Sequence, residues 1–144
     1  MPAVNVNDIL SMTQVKADLM LSKYSIEQAE KVSAKMSKSI KGQGAYHLQQ
    51  ACEKMVKIQI YASGKKIDNA RMYKHSIKDL LVYAGSLGIA MNIPAYVDKN
   101  KDIITRWEAT GRYDLHLVVR IDTLKKCYEE AEQWYNDLIK DGFR

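Results

Sequence analysis

The stretch Gly44–Ala62 (GAYHLQQACEKMVKIQIYA) constrains this chain more than any other. Stepped as a helix at about 100° per residue, its residues Ala45, Leu48, Ala51, Cys52, Met55, Val56, Ile58, Ile60 and Ala62 cover well over half of the circumference. A surface helix carries a narrower apolar stripe. This one is therefore expected to be gripped on several sides, by helices of the same chain and by a second subunit. A thin polar strip remains, made of Glu53, Lys57, Gln50 and Lys54 and flanked by Tyr46, Tyr61 and His47. Gln49 and Gln59 fall inside the apolar arc, so both side-chain amides are expected to bond neighbouring backbone or side chains.

The rest of the chain reads as helices packed around this one. With 47% hydrophobic residues among 144, there is enough apolar surface for a core. Two prolines, seven glycines and an abundance of Ala, Lys, Met, Glu and Gln favour helix over strand. Residues 1–10 read as an arm and 11–141 as one helical domain. Cys52 and Cys127 both fall on apolar helix faces and are expected to be small core residues in a reducing compartment. No CxxC and no ligand spacing among the three histidines points to a metal, and no cofactor is expected. There is no basic n-region followed by an apolar run, and no apolar run approaches the ~20 residues that span a bilayer. A cytoplasmic protein with no membrane partner is expected. The net charge of +5 permits an anionic ligand without demanding one.

The expected elements follow from stripes and punctuation. Met12, Val15, Leu19 and Ser22 define a short helix over 8–22. Ser25 with Gln28 forms a capping-box pattern and opens a second helix, with stripe Ile26, Ala29, Val32, Met36 and Ile40, that Gly42-Gln43-Gly44 would end. The central helix follows. Residues 64–74 read as a polar connection with room for one helical turn. Ser76 and Asp79 open a helix with stripe Ile77, Leu80, Leu81, Ala84 and Leu87, closed by Gly88. Pro94, with Asn92 as its cap, opens a helix carrying Val97, Ile103, Ile104 and Trp107 and ending at Gly111. Asp122 or Thr123 caps the last helix, with stripe Leu124, Cys127, Ala131, Trp134 and Leu138. The sum is an all-α, antiparallel up-and-down bundle of five main helices plus a short N-terminal one. The longest stretch outside these helices, 112–121, is the first place to look for function.

The phrase His47-Leu48-Gln49-Gln50-Ala51-Cys52-Glu53-Lys54-Met55-Val56-Lys57 resembles the signature of HEPN (higher eukaryote and prokaryote nucleotide-binding) domains, which carry QQAxEK at this place. The family's T-H-D-L phrase is matched by Lys74-His75-Ser76-Ile77, and its R-Y-P phrase by Arg112-Tyr113-Asp114. Order and spacing agree over roughly residues 12–140. The resemblance implies a helical domain that often dimerises and is commonly the partner of a small nucleotidyltransferase in a two-component, toxin–antitoxin-like system. Some branches are metal-independent ribonucleases with an Arg and a His separated by four to six residues. There, His acts as general acid/base on the 2′-hydroxyl and Arg steadies phosphate charge. The corresponding catalytic candidates are Arg112 and His116, here separated by three residues.

Each candidate carries two readings. His75 is either a phosphate contact at a helix N-terminus or a capping and packing residue. Arg112 and Tyr113 are either a phosphate fork beside a stacking ring or a structural pair, with Arg112 reaching a carboxylate such as Glu53. Glu53, Lys54 and Lys57 either line an anion groove or form a solvated face, the commoner role of a charged helix strip; His47, Tyr46 and Tyr61 beside them add some weight to the first. Trp107 and Trp134 belong to the core. Three function classes follow: a nucleotide- or RNA-binding module, a divergent ribonuclease, and a purely structural oligomerisation bundle. The expectation is weak binding of a nucleotide or RNA phosphate without efficient cleavage.

Overall fold

The computed structural model describes residues 10–110 and 118–144, and every regular element among them is helical. These elements are α1 (Met12–Ala29), α2 (Ala34–Ala62), α3 (Asn69–Met72), α4 (Ile77–Ser86), α5 (Ala95–Lys99), α6 (Lys101–Thr110) and α7 (Ile121–Lys140). The described chain is thus all-α. No helix among the described residues is long and apolar enough to cross a membrane.

Helix α2 is the axis. It packs against α1, α4, α6 and α7, and Ala45, Leu48, Ala51, Cys52, Met55, Val56 and Ile60 are completely buried. The wide apolar arc is therefore covered within one chain and needs no second subunit to hide it; only Ala62, at its end, is exposed. Both glutamines in the arc are satisfied, as a buried amide requires. Gln59 receives the Asn92 N–H on its Oε1 and donates to the Asn92 carbonyl, each at 2.9 Å. Asn92 is thereby held by the central helix, and Pro94 takes the N-cap position of α5 that Asn92 was expected to fill.

The helix boundaries near the N-terminus differ from expectation. α1 runs on through Ser25, and the break falls at residues 30–33, where Ser33 adopts the extended N-cap conformation. α2 then continues unbroken through Gly42 and Gly44 to Ala62. Gly44 serves close packing and does not end a helix: a Cβ there would stand 3.2 Å from the Cβ of Ser25 and 3.6 Å from Leu124 Cδ2. Because the break comes later, Met36 is exposed and not part of a buried stripe. The expected single helix after Pro94 is divided at Asn100, whose side chain donates back to the Tyr96 carbonyl at 2.8 Å, a local bond that competes with helix continuation.

Elsewhere the stripes match the packing with one exception: Ile103, expected on the apolar side with Val97, Ile104 and Trp107, is 43% exposed while those three are buried. Leu124, Cys127, Ala131, Trp134 and Leu138 are all buried along α7, as are Ile77, Leu80 and Ala84 on α4. The Ser76 hydroxyl caps α4 by accepting the Asp79 N–H at 3.2 Å. Cys52 and Cys127 are free thiols in the core. A hydrogen bond with Cys52, and burial, push the Cys127 thiol well up from its ordinary range, as expected for inert core cysteines.

Candidate functional site

The polar strip of α2 is the chemically richest surface of the described chain. Residues 47, 50, 54 and 57 follow one another around the helix at about 100° per residue, and Glu53 and Gln49 continue the arc. Such a strip was expected to be solvated if structural. It is largely buried instead, with Glu53 5% and Lys57 8% exposed, because α1 and the start of α4 cover its two edges.

On the α1 edge the organising group is Asp18, itself 8% exposed. Lys54 Nζ donates to its Oδ2 at 2.6 Å, and His47 Nδ1 lies 3.4 Å from its Oδ1. The ring of Tyr46 meets that of His47 edge-on at 5.3 Å. Asp18 was missed as a site residue. Its signal was nonetheless present: it falls three residues after Val15 and four before Ser22, on the buried face of α1.

On the α4 edge the organising group is Glu53. Lys57 Nζ donates to its Oε2 at 2.9 Å, Gln49 Nε2 donates to its Oε1 at 2.9 Å, and His75 Nδ1 stands 3.0 Å from the same Oε1. Gln50 extends the chain by donating to Gln49 Oε1 at 2.7 Å. A carboxylate only accepts, so the geometry makes His75 Nδ1 the donor and leaves Nε2 for another partner. The side chain of His75 is 52% exposed while that of Glu53 is 6% exposed. A buried carboxylate thus orients an accessible imidazole just ahead of α4.

The charges within this network balance. Asp18 and Glu53 offset Lys54 and Lys57, each lysine held against one carboxylate. Of the residues expected to bind phosphate, Lys54 and Lys57 therefore serve first as ion-pair partners, His47 lies against Asp18, and His75 keeps an accessible ring. Among the described residues Glu53 has three partners, Gln49 and Lys57 from α2 and His75 just before α4. Arg112, Tyr113 and His116 lie outside the described residues.

Two cavities lie apart from the network. One, of about 840 Å³, is lined by residues 10–13 and 141–144 and by Ile58, Tyr61, Tyr135 and Ile139; among the described residues Asp141 and Arg144 are its only charged lining, with no His, Lys or Glu. The other, of about 230 Å³, is lined by Ile103, Arg106, Trp107, Val118, Arg120 and Thr123. It sits where the described chain stops at Thr110 and resumes at Val118, and its two arginines were not singled out from the sequence. Among the described residues no group of His, Cys, Asp and Glu is arranged to hold a metal ion.

Compared with known proteins, the chain matches no family model, no curated protein and no solved structure.

Proposed function

We propose that this chain is a HEPN-like helical module, an up-and-down bundle that binds the phosphate of a nucleotide or RNA and works as the partner of a small nucleotidyltransferase in a two-component system. The observation that carries the reading is the pairing of His75 with Glu53 at 3.0 Å. A carboxylate-oriented imidazole with its second nitrogen exposed is a directed hydrogen-bond donor to an anion when protonated, and a proton acceptor when neutral. Its place just before α4 adds the partial positive charge of a helix N-terminus. The net charge of +5 supports the same reading, as do Arg106 and Arg120 around the smaller cavity. Assembly, as a homodimer or with the nucleotidyltransferase, belongs to this reading; the exposed Met20, Leu21 and Tyr24 of α1 support it as an apolar contact surface.

A divergent, metal-independent ribonuclease is the second reading. The Glu53–His75 pair favours it, because a histidine oriented by a carboxylate is the usual form of a general acid/base. The binding reading is tested by fluorescence anisotropy with labelled RNA at low salt, using wild type, His75→Ala and His75→Gln. Salt-sensitive binding that both substitutions weaken supports it. Absence of any binding to RNA or to a mononucleotide leaves a structural bundle.

A further inference from the structure

Three consecutive residues, Tyr73, Lys74 and His75, bridge α3 and α4, and all three are exposed. Tyr73 is 80% exposed, more than any other large hydrophobic side chain described. A lone exposed tyrosine needs no explanation; one on a short bridge anchored at both ends, beside a lysine and an oriented histidine, does.

The mounting is visible on both sides. Before the bridge, Met72 is 3% exposed in the core, the Asp68 N–H donates to the Tyr83 hydroxyl at 2.7 Å, and the Arg71 guanidinium lies 5.7 Å from the centre of the Tyr83 ring. After it, His75 is held by Glu53 at 3.0 Å, and the Ile77 N–H donates to Thr105 Oγ1 at 3.1 Å. The bridge also lies along α2. Its last residue, His75, meets Glu53 of α2, one turn before Lys57 and two before Tyr61 on the same face.

We propose that Tyr73, Lys74 and His75 form a platform for single-stranded RNA, in which the Tyr73 ring stacks on one base while Lys74 and His75 contact the adjoining phosphates. This inference rests on the phosphate-binding reading and adds the class of ligand. Two residues of chain span at most ~7 Å, so a base stacked on Tyr73 brings its own backbone within reach of Lys74 and His75. An aromatic face accepts any base, but only where that base is unstacked from its neighbours. The platform therefore discriminates single strands from duplex and tolerates changes of sequence.

The test is fluorescence anisotropy of the full chain with a fluorescein-labelled twelve-nucleotide oligouridine, and with a labelled RNA duplex of equal length. Wild type, Tyr73→Phe, Tyr73→Ala and His75→Ala are compared, with melting curves to confirm folding. Wild type is expected to prefer the single strand. Tyr73→Phe keeps that affinity, and Tyr73→Ala loses about tenfold on the single strand with no change on duplex. If RNA binds in a salt-sensitive way that His75→Ala weakens, yet Tyr73→Ala matches wild type, the platform is wrong and the phosphate reading stands. Equal affinity for single strand and duplex overturns the platform in the same way. No RNA binding by wild type overturns the platform, and a labelled mononucleotide that also fails to bind overturns the phosphate reading with it.

Discussion

The Ser22 hydroxyl donates to the Gly44 carbonyl oxygen at 2.8 Å across the contact between α1 and α2, and both residues are buried. One turn earlier on α1, Asp18 meets His47 and Lys54 further along α2. The two helices are therefore antiparallel, and the close approach at Gly44 sets how deeply Asp18 is pressed against the polar strip.

The size of residue 44 should then control stability. Gly44→Leu is expected to cost ~1–3 kcal/mol or more, since the added side chain overlaps Ser25 and Leu124. Gly44→Ala should lie within about 1 kcal/mol of wild type, because a mild clash at 3.2 Å opposes the better helix propensity of Ala. Urea unfolding measures both. A Gly44→Leu protein as stable as wild type would show that the helices do not meet here.

The core of α2 gives a second expectation. Leu48 is completely buried. Leu48→Ala should lose ~2–5 kcal/mol, and Leu48→Asp should not fold, because an unpaired carboxylate has no partner at that depth. Circular dichroism melts decide it. A helical Leu48→Asp variant with an unchanged melting temperature would reject the central role of α2.

The buried ion pair gives a third. Glu53→Ala strands the Lys57 ammonium, which is 8% exposed, and should cost ~3–5 kcal/mol. The double variant Glu53→Leu, Lys57→Leu removes both charges and should be closer to wild type in stability, while losing the orientation of His75. Denaturant titration of the single and double variants tests the coupling. Equal loss in both would mean that Lys57 does not depend on Glu53.

The helices that were legible in the sequence were those whose signals are local. The α7 stripe repeats at three and four residues without interruption, Ser76 and Asp79 announce α4, and Gly88 and Gly142 mark helix ends, where they adopt φ of 73° and 95°. Gly44 carries the same letter with the opposite purpose, and only the approach of Ser25, nineteen residues away, reveals it. The polar strip misled for a related reason. A row of Glu and Lys on one helix looks solvated until Asp18 and His75, from other elements, are seen to close on it. His75 was singled out from its place before a capped helix, but its orientation by Glu53 is a tertiary fact.

The last expectation concerns RNA chemistry. Binding should be electrostatic, so the logarithm of affinity should fall with the logarithm of salt at a slope of about −0.7 per single-strand phosphate contact. Lys74→Ala should make that slope shallower by about one contact, and Arg112→Ala should do the same if Arg112 reaches the backbone. Efficient cleavage is not expected. The Arg112–His116 spacing of three intervening residues falls short of the four to six of the ribonuclease pattern that the chain resembles, and a general base must first stand within hydrogen-bond reach of the 2′-hydroxyl. Purified protein incubated with total RNA in the absence of metal provides the check, alongside Arg112→Ala, His116→Ala and His75→Ala. Intact RNA in every lane is the expected result. Cleavage lost with Arg112→Ala and His116→Ala would make those two residues the catalytic pair. Cleavage lost with His75→Ala alone would assign the proton transfer to the imidazole that Glu53 orients.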